Sequence, residues 1–284
     1  VNLDNQKVKG LTLLDGWKGL AVQPWSDFIF TPSQLLQNPA QVFKSEGENI
    51  TVLKQVDRDR KKVFIVIKKS VSTNRLKNFT ALFRPPKAVR NFNLARALMA
   101  KEIDVAASIA ALWRKNGFQS IENIYISEFA PGSLNLYDVA FGKNEEIISN
   151  FRVRKNIIQQ VAALLAKLHQ SWFWHRDSKA GNFIVHKTDD GSYKAKLIDL
   201  DGIKFNLFNK QSNRVRTLSK LAETLTRFKT VNFTDLYRGF LFYCEAMQLD
   251  AWQSRELFRQ VERATVASRF LTIISDSYKF ENSV

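Results

Sequence analysis

Proline disappears from this chain after Pro131; all six prolines fall in the first half of its 284 residues. Cysteine is nearly absent as well. With Cys244 alone no disulfide can close within the chain, which suits a reducing compartment. Its place in the apolar run Phe240-Leu241-Phe242-Tyr243-Cys244 marks it as a buried thiol. Three histidines (His169, His175, His186) and one cysteine are a poor ligand supply for zinc. No apolar run is long enough to cross a membrane, so any membrane contact is expected to be peripheral. The terminus Val1-Asn2-Leu3-Asp4-Asn5-Gln6-Lys7 lacks the apolar core of a signal peptide. Repeats, heptads and low-complexity tracts are missing too.

What is present is a core and a charge. Hydrophobic residues make up 45% and aromatics 12% of the chain, enough to build two lobes. Forty-three Lys and Arg face 27 Asp and Glu, a formal net charge of +16. That balance calls for an anionic partner: nucleotide, nucleic acid, phospholipid or phosphorylated glycolipid. Basic clusters stand at Arg58, Arg60, Lys61 and Lys62, at Arg84, Lys87 and Arg90, and at Arg152, Arg154 and Lys155.

The most informative stretch is His175-Arg176-Asp177-Ser178-Lys179-Ala180-Gly181-Asn182, followed by Leu197-Ile198-Asp199-Leu200-Asp201-Gly202. The first fits H-R-D-x-x-x-x-N, the catalytic loop of kinase-like phosphotransferases, and the second places a carboxylate where such enzymes hold a metal. Phosphoryl transfer needs a base at the acceptor hydroxyl and oxygen ligands for a metal on the phosphates. Asp177 is the candidate base and Lys179 a candidate contact to the transferred phosphoryl group. Asn182 and Asp199 are the candidate ligands for Mg2+, with ATP as co-substrate. Asp201 is either a further contact or a surface turn carboxylate.

Around this centre the chain predicts an α+β, bilobal, protein-kinase-like fold with a small antiparallel-sheet N-lobe and a mainly helical C-lobe. Residues 1–40 read as an irregular N-terminal extension with short strand pieces, 41–126 as the N-lobe, 127–132 as the hinge and 133–284 as the C-lobe. Strand-like runs at Gln41–Lys44, Ile50–Val56 and Val63–Lys68 make an antiparallel meander. Lys68, after the last apolar run, is the candidate nucleotide-phosphate lysine; Lys69, on the opposite face, is its competitor. G-x-G-x-x-G is absent, and the turn after the first strand offers only Gly47, a phosphate contact or an ordinary turn residue. A helix after Pro85-Pro86 carries no acidic residue in its middle, so the glutamate that pairs with the strand lysine in kinases is missing. Asn91 or a residue elsewhere would have to replace it, because Glu102 comes too late. Ser127, Glu128 and Ala130 are candidate adenine contacts at the hinge, through backbone groups. A long amphipathic helix built on Ile157, Ile158, Val161, Leu164, Leu165 and Leu168 leads to the catalytic loop, with His169 a structural histidine near its end. After the loop, Phe183–His186 and Ala195–Ile198 read as two short strands around the turn Asp189-Asp190-Gly191, a hairpin that brings Asn182 and Asp199 to the same end, and from Asn213 to the C-terminus the sequence is helical. A proline-free C-terminal half cannot contain the Ala-Pro-Glu element that anchors the peptide-binding segment of protein kinases.

These residues resemble the bacterial lipopolysaccharide kinase family. The resemblance runs from about Gln41 onward and rests on Ile67-Lys68, Lys87-Ala88-Val89-Arg90-Asn91-Phe92, Ser127-Glu128-Phe129-Ala130-Pro131-Gly132, the catalytic loop, Leu197 to Gly202 and Thr234-Asp235-Leu236-Tyr237-Arg238. It implies transfer of the ATP γ-phosphate to a Kdo or heptose hydroxyl of the lipid A–core. It also implies a glycolipid or sugar substrate and peripheral work at the anionic inner membrane of a Gram-negative bacterium, on its cytoplasmic side. Alternatives are a small-molecule or protein phosphotransferase on the same fold, or a nucleotide-binding pseudokinase with a regulatory role. Nucleic acid is not an expected partner, since no helix-turn-helix, zinc-finger or RNP signature is present.

Overall fold

The computed structural model describes residues 7–281, apart from 24, 29, 59, 75–82, 117–119 and 209–210, with the side chains of 148 and 270–281 also left aside. Val1 to Gln6, named above, lie outside the described residues. The chain divides into two compact units, Val1–Pro131 and Gly132–Val284.

The first unit is a seven-stranded antiparallel sheet. Its strands are β1 (Val8–Thr12), β2 (Lys18–Val22), β3 (Gln41–Glu46), β4 (Asn49–Arg58), β5 (Lys61–Ser72), β6 (Ser108–Asn116) and β7 (Ser120–Glu128), in spatial order β1-β2-β6-β7-β5-β4-β3. A short helix, α1 (Pro32–Leu35), precedes the meander β3-β4-β5, and α2 (Lys87–Met99) links β5 to β6. The apolar stripe Ala88, Phe92, Ala95 and Leu98 of α2 is buried against the sheet. Asn123 of β7 accepts the Ala88 N–H (3.1 Å), an N-terminal cap supplied by the sheet rather than by the helix's own flank.

Residues 8–37 are built into this unit rather than extending it. Strands β1 and β2 lengthen the sheet beyond β6. Trp17, Val22, Trp25, Phe30 and Leu35 are buried. The Arg58 guanidinium lies over the Trp25 ring (4.4 Å), and Lys54 Nζ donates to the carbonyls of Gln34 and Gln37 (2.7 Å each). Arg58 and Lys54 alternate in register with Ile65 and Ile67, on the face opposite α2. The N-terminal stretch thus covers the second face of the sheet, which is why Ile65 and Ile67 have no exposed surface. Sequence periodicity misses this because the cover is aromatic and irregular.

The second unit begins with β8 (Leu134–Asn135), α3 (Leu136–Ala140) and α4 (Glu145–Ser149), then the long α5 (Phe151–Gln170). Next come β9 (Phe173–His175), β10 (Phe183–Lys187), β11 (Tyr193–Leu197) and β12 (Ile203–Phe205). Three helices finish it: α6 (Gln211–Leu225), α7 (Phe233–Ala246) and α8 (Ala251–Glu281). Asparagines start four of the helices: Asn135, Asn144, Asn150 and Asn232 each accept a backbone N–H from the first turn. Asn150 therefore opens α5 two turns ahead of the apolar stripe that begins at Ile157. Apart from the half-buried Ile158 that stripe is buried, as are His169 and Cys244. The His169 Nδ1 shares a 2.8 Å hydrogen bond with the Tyr243 hydroxyl of α7. Among the described residues no helix is long and apolar enough to cross a membrane.

Candidate active site

The catalytic loop hangs between two small β-units. Strands β9 and β12 pair antiparallel, with His175 opposite Ile203, and β10 pairs with β11, with Phe183 opposite Leu197. The second register puts Asn182 and Asp199 just past the same end of the hairpin, where the Ile198 N–H donates to the Asn182 carbonyl (3.0 Å). The sequence expectation for that hairpin holds.

His175 is the tie between the two halves of the site. It is fully buried. Its Nδ1 accepts the Asp177 N–H (3.1 Å), and its Nε2 lies 3.1 Å from the Asp199 carbonyl oxygen. A backbone N–H can only donate and a carbonyl can only accept, so the neutral Nε2–H tautomer satisfies both bonds. Burial pushes the imidazole below its ordinary pKa, although the Asp199 carbonyl and the charges of Asp199 and Asp177 pull upward. A neutral ring thus fixes base and metal carboxylate relative to each other.

Gly202 exists for this ring. A methyl group there would meet His175 Cε1 and, at 2.7 Å, Nδ1. Its carbonyl accepts the Arg176 N–H (2.8 Å). Sequence reading took the glycine as the end of a motif; its steric role emerges only from the pairing of β9 with β12.

Helix α6 supports the loop from beneath. Thr217 Oγ1 accepts the His175 N–H (3.3 Å), and its own proton serves the carbonyls of His175 (3.1 Å) and Asn213 (2.9 Å). Ser178 Oγ donates to the Thr217 carbonyl (2.5 Å), and Thr224 Oγ1 accepts the Ala180 N–H (3.0 Å). Asn135 Nδ2 donates to the Gly181 carbonyl (2.9 Å). None of Thr217, Thr224 and Asn135 was visible in the motif, because a lone Thr or Asn far along the chain carries no sequence signal.

Asp177 and Lys179 form an ion pair (3.2 Å) with both side chains about half exposed, open to solvent and to an acceptor. Asn182 is buried, and its Nδ2 donates to the Asp177 carbonyl (2.6 Å), which leaves its Oδ1 as an acceptor. Together with the Asp199 carboxylate this offers two hard oxygen donors, a set that suits Mg2+ when phosphate oxygens complete the shell. Among the described residues no group of three His, Cys, Asp or Glu could hold a metal by itself. The Asp201 N–H reaches the Asp199 carboxylate at 3.4 Å.

The other candidates belong to the first unit. Lys68 stands inside β5, not at its end, opposite Thr51 and Tyr125. Directly opposed residues share a face, and Tyr125 bonds Ser108 (2.8 Å), whose hydroxyl lies 3.5 Å from the Phe92 carbonyl of α2. Lys68 therefore lies on the face covered by α2, where a kinase lysine belongs. Lys69 points the other way and pairs with Glu122 (3.5 Å), which also binds Arg114 (2.5 Å). Glu102 falls beyond α2 in a left-handed turn (φ 54°).

Gly47 sits in the two-residue turn between β3 and β4 with φ 56°, a conformation that favours glycine. Ser127 and Glu128 are the last residues of β7 rather than a free hinge. Ser127 is buried opposite Val66, and the Glu128 N–H already donates to the Ala107 carbonyl (2.9 Å). Ala130 follows, outside any regular element, just before the boundary between the units.

The Thr234–Arg238 segment has a structural function. Asp235 is buried at the start of α7 and holds Arg238 (2.7 Å) and Arg154 of α5 (3.3 Å). So Arg154, one of the basic cluster, is consumed by the fold. This ion group borders an apolar cavity of about 370 Å³ within the second unit, walled by Val161, Leu165, Leu221, Phe240 and Val261.

Comparison with known proteins follows the same lines. The sequence profile described as the lipopolysaccharide kinase (Kdo/WaaP) family matches residues 33–240. No curated protein matches the chain by sequence. Among solved structures, one described as WaaP in complex with acyl carrier protein is similar in fold, with a TM-score of 0.52 at 15% identity. The match covers 79% of this chain and 88% of that one.

Proposed function

The chain belongs to the lipopolysaccharide kinase (Kdo/WaaP) family, and from that premise we propose that it transfers the γ-phosphoryl group of ATP to a Kdo or heptose hydroxyl of the lipid A–core. The observation that carries this reading is the neutral His175 bridging Asp177 and Asp199, which presents a base and a metal carboxylate in one rigid unit.

Asp177 orients the sugar hydroxyl and takes its proton as the oxygen attacks phosphorus. The bond to the β-phosphate oxygen breaks, and ADP leaves. Lys179, 3.2 Å from Asp177, balances charge on the phosphoryl group in transit. Asn182 and Asp199 would hold Mg2+, which supplies charge neutralisation on the phosphates. Within the first unit, Lys68 is the candidate for binding phosphate and the backbone beyond Glu128 the candidate for receiving the adenine. The reaction is expected at the cytoplasmic face of an inner membrane. The similar structure's complex with an acyl carrier protein suggests such a carrier as a partner, and the apolar cavity has room for a carrier's acyl chain.

The test offers purified protein, Mg2+ and γ-labelled ATP to lipid A–core precursors ending in Kdo or in heptose. Label on the sugar, abolished in Asp177→Ala and Asp199→Ala, is the expected result. ATP binding without transfer to either sugar overturns the reading and leaves the regulatory pseudokinase in its place.

A further inference from the structure

At the end of the β9–β12 ribbon away from the catalytic loop, four large apolar side chains stand in water. Trp172 is 46% exposed, Phe205 and Leu207 58%, and Phe208 83%. The Asn206 N–H donates to the Trp172 carbonyl (2.8 Å), and the Phe205 ring lies 5.2 Å from that of Phe173. These contacts hold the chain at Trp172 beside Phe205, with Leu207 and Phe208 following at once. A contiguous exposed apolar surface of this kind marks a contact site.

The charge on the adjoining segments is of one sign. The two segments that meet at this end of the ribbon, 167–176 and 202–216, carry Lys167, Arg176, Lys204, Lys210, Arg214 and Arg216 and no Asp or Glu. Arg176 and Lys204 are exposed on the ribbon, and the Arg216 guanidinium lies 5.7 Å from the Trp174 ring centre. Lys210, outside the described residues, enters this tally by sequence alone.

The geometry points to a membrane-docking surface: Trp172, Phe205, Leu207 and Phe208 enter the headgroup layer of an anionic phospholipid bilayer while the flanking Lys and Arg meet lipid phosphates. Aromatic rings are favoured at that depth, and basic residues nearby add attraction to anionic lipid. Phe205, Leu207 and Phe208 follow closely on one segment with Trp172 beside them on the other, and none of the four lines the cavity of this unit. A fluid headgroup layer accepts such a wedge, whereas a folded partner would need a matching pocket. The absence of carboxylates removes what would be repelled by the lipid. Strands β9 and β12 have three residues each, so the docked edge stands about 10 Å from the catalytic loop. That offset would keep Asp177 near the layer where the inner sugars of a glycolipid lie. This last consequence rests on the glycolipid reading above; the docking itself does not.

The experiment is co-sedimentation of the full chain with phosphatidylethanolamine vesicles, with and without phosphatidylglycerol. Wild type, the double variant Leu207→Ser/Phe208→Ser and Lys204→Glu are compared by vesicle binding, melting temperature and turnover of a deacylated core-sugar acceptor. Wild type should bind only the anionic vesicles, and the double variant should lose roughly tenfold or more in partitioning. Lys204→Glu should lose several-fold, and neither change should alter the melting temperature or deacylated-sugar turnover. Equal binding by wild type and double variant overturns the proposal. So does loss of binding to an acidic carrier protein with vesicle binding intact. If wild type phosphorylates no sugar yet binds vesicles through this patch, the docking surface stands and the sugar-kinase reading falls.

Discussion

In the second unit Asp177, Asn182 and Asp199 are held by a web of hydrogen bonds from His175, Thr217, Thr224 and Asn135. In the first unit Lys68 owes its place to strand register, opposite Tyr125 on the face that α2 covers. The difference teaches that the candidate base and metal ligands are fixed by side-chain hydrogen bonds around one buried ring, whereas the candidate nucleotide lysine is placed by the register of a backbone ladder.

Four substitutions and one pH series probe that contrast. The largest effect is expected from Asp177→Ala, which removes the base and should lower kcat by roughly 10²–10⁴-fold with little change in stability, as measured by turnover and melting. Lys68→Met should mainly raise the KM for ATP, by about 10-fold or more, if transfer-state and ground-state binding are lost alike. Lys69→Met should leave KM unchanged and cost only its half-buried pairing with Glu122, which keeps Arg114 as a second partner, about 1 kcal/mol. Equal KM effects of the two lysine variants would break the assignment made from strand faces.

Gly202→Ala should destabilise by about 1–3 kcal/mol by overpacking the His175 ring, and kcat should fall with it. Denaturant unfolding and single-turnover kinetics measure the two. A variant that is stable and active would show that the ring can shift without harm.

A last effect concerns His169. Burial, with help from Arg214, lowers its pKa to about 3, against about 6.5 in an unfolded chain. The unfolded chain takes up a proton that the fold refuses. Stability from this group is therefore complete above about pH 6.5 and declines as pH falls toward 3, by about 2 kcal/mol between pH 7 and pH 5. Unfolding midpoints across that range, compared with those of His169→Asn, check it: the variant's curve should be flatter.

Much of the second unit was legible. The catalytic motif is contiguous, so its residues must be neighbours whatever the fold does, and apolar spacing marked α5. In the first unit the meander was legible for the same reason of short range. What stayed hidden was contributed from afar: Trp17 and Trp25 covering the sheet, Thr217 and Thr224 under the loop, Asn123 capping α2. Each acts across dozens of residues, and a single Thr, Asn or Trp has no periodicity to betray it. The basic clusters misled in part, since Arg58 stacks on Trp25 and Arg154 serves Asp235.

The sequence by itself determined the reaction type, because phosphoryl transfer needs Asp177, Asn182 and Asp199 at short fixed spacing along the chain. Tertiary structure decided which lysine shares the α2 face, why residue 202 must be glycine, and which threonines carry the loop. Those are questions of which faces meet, and faces are set only when strands choose their register and helices pack.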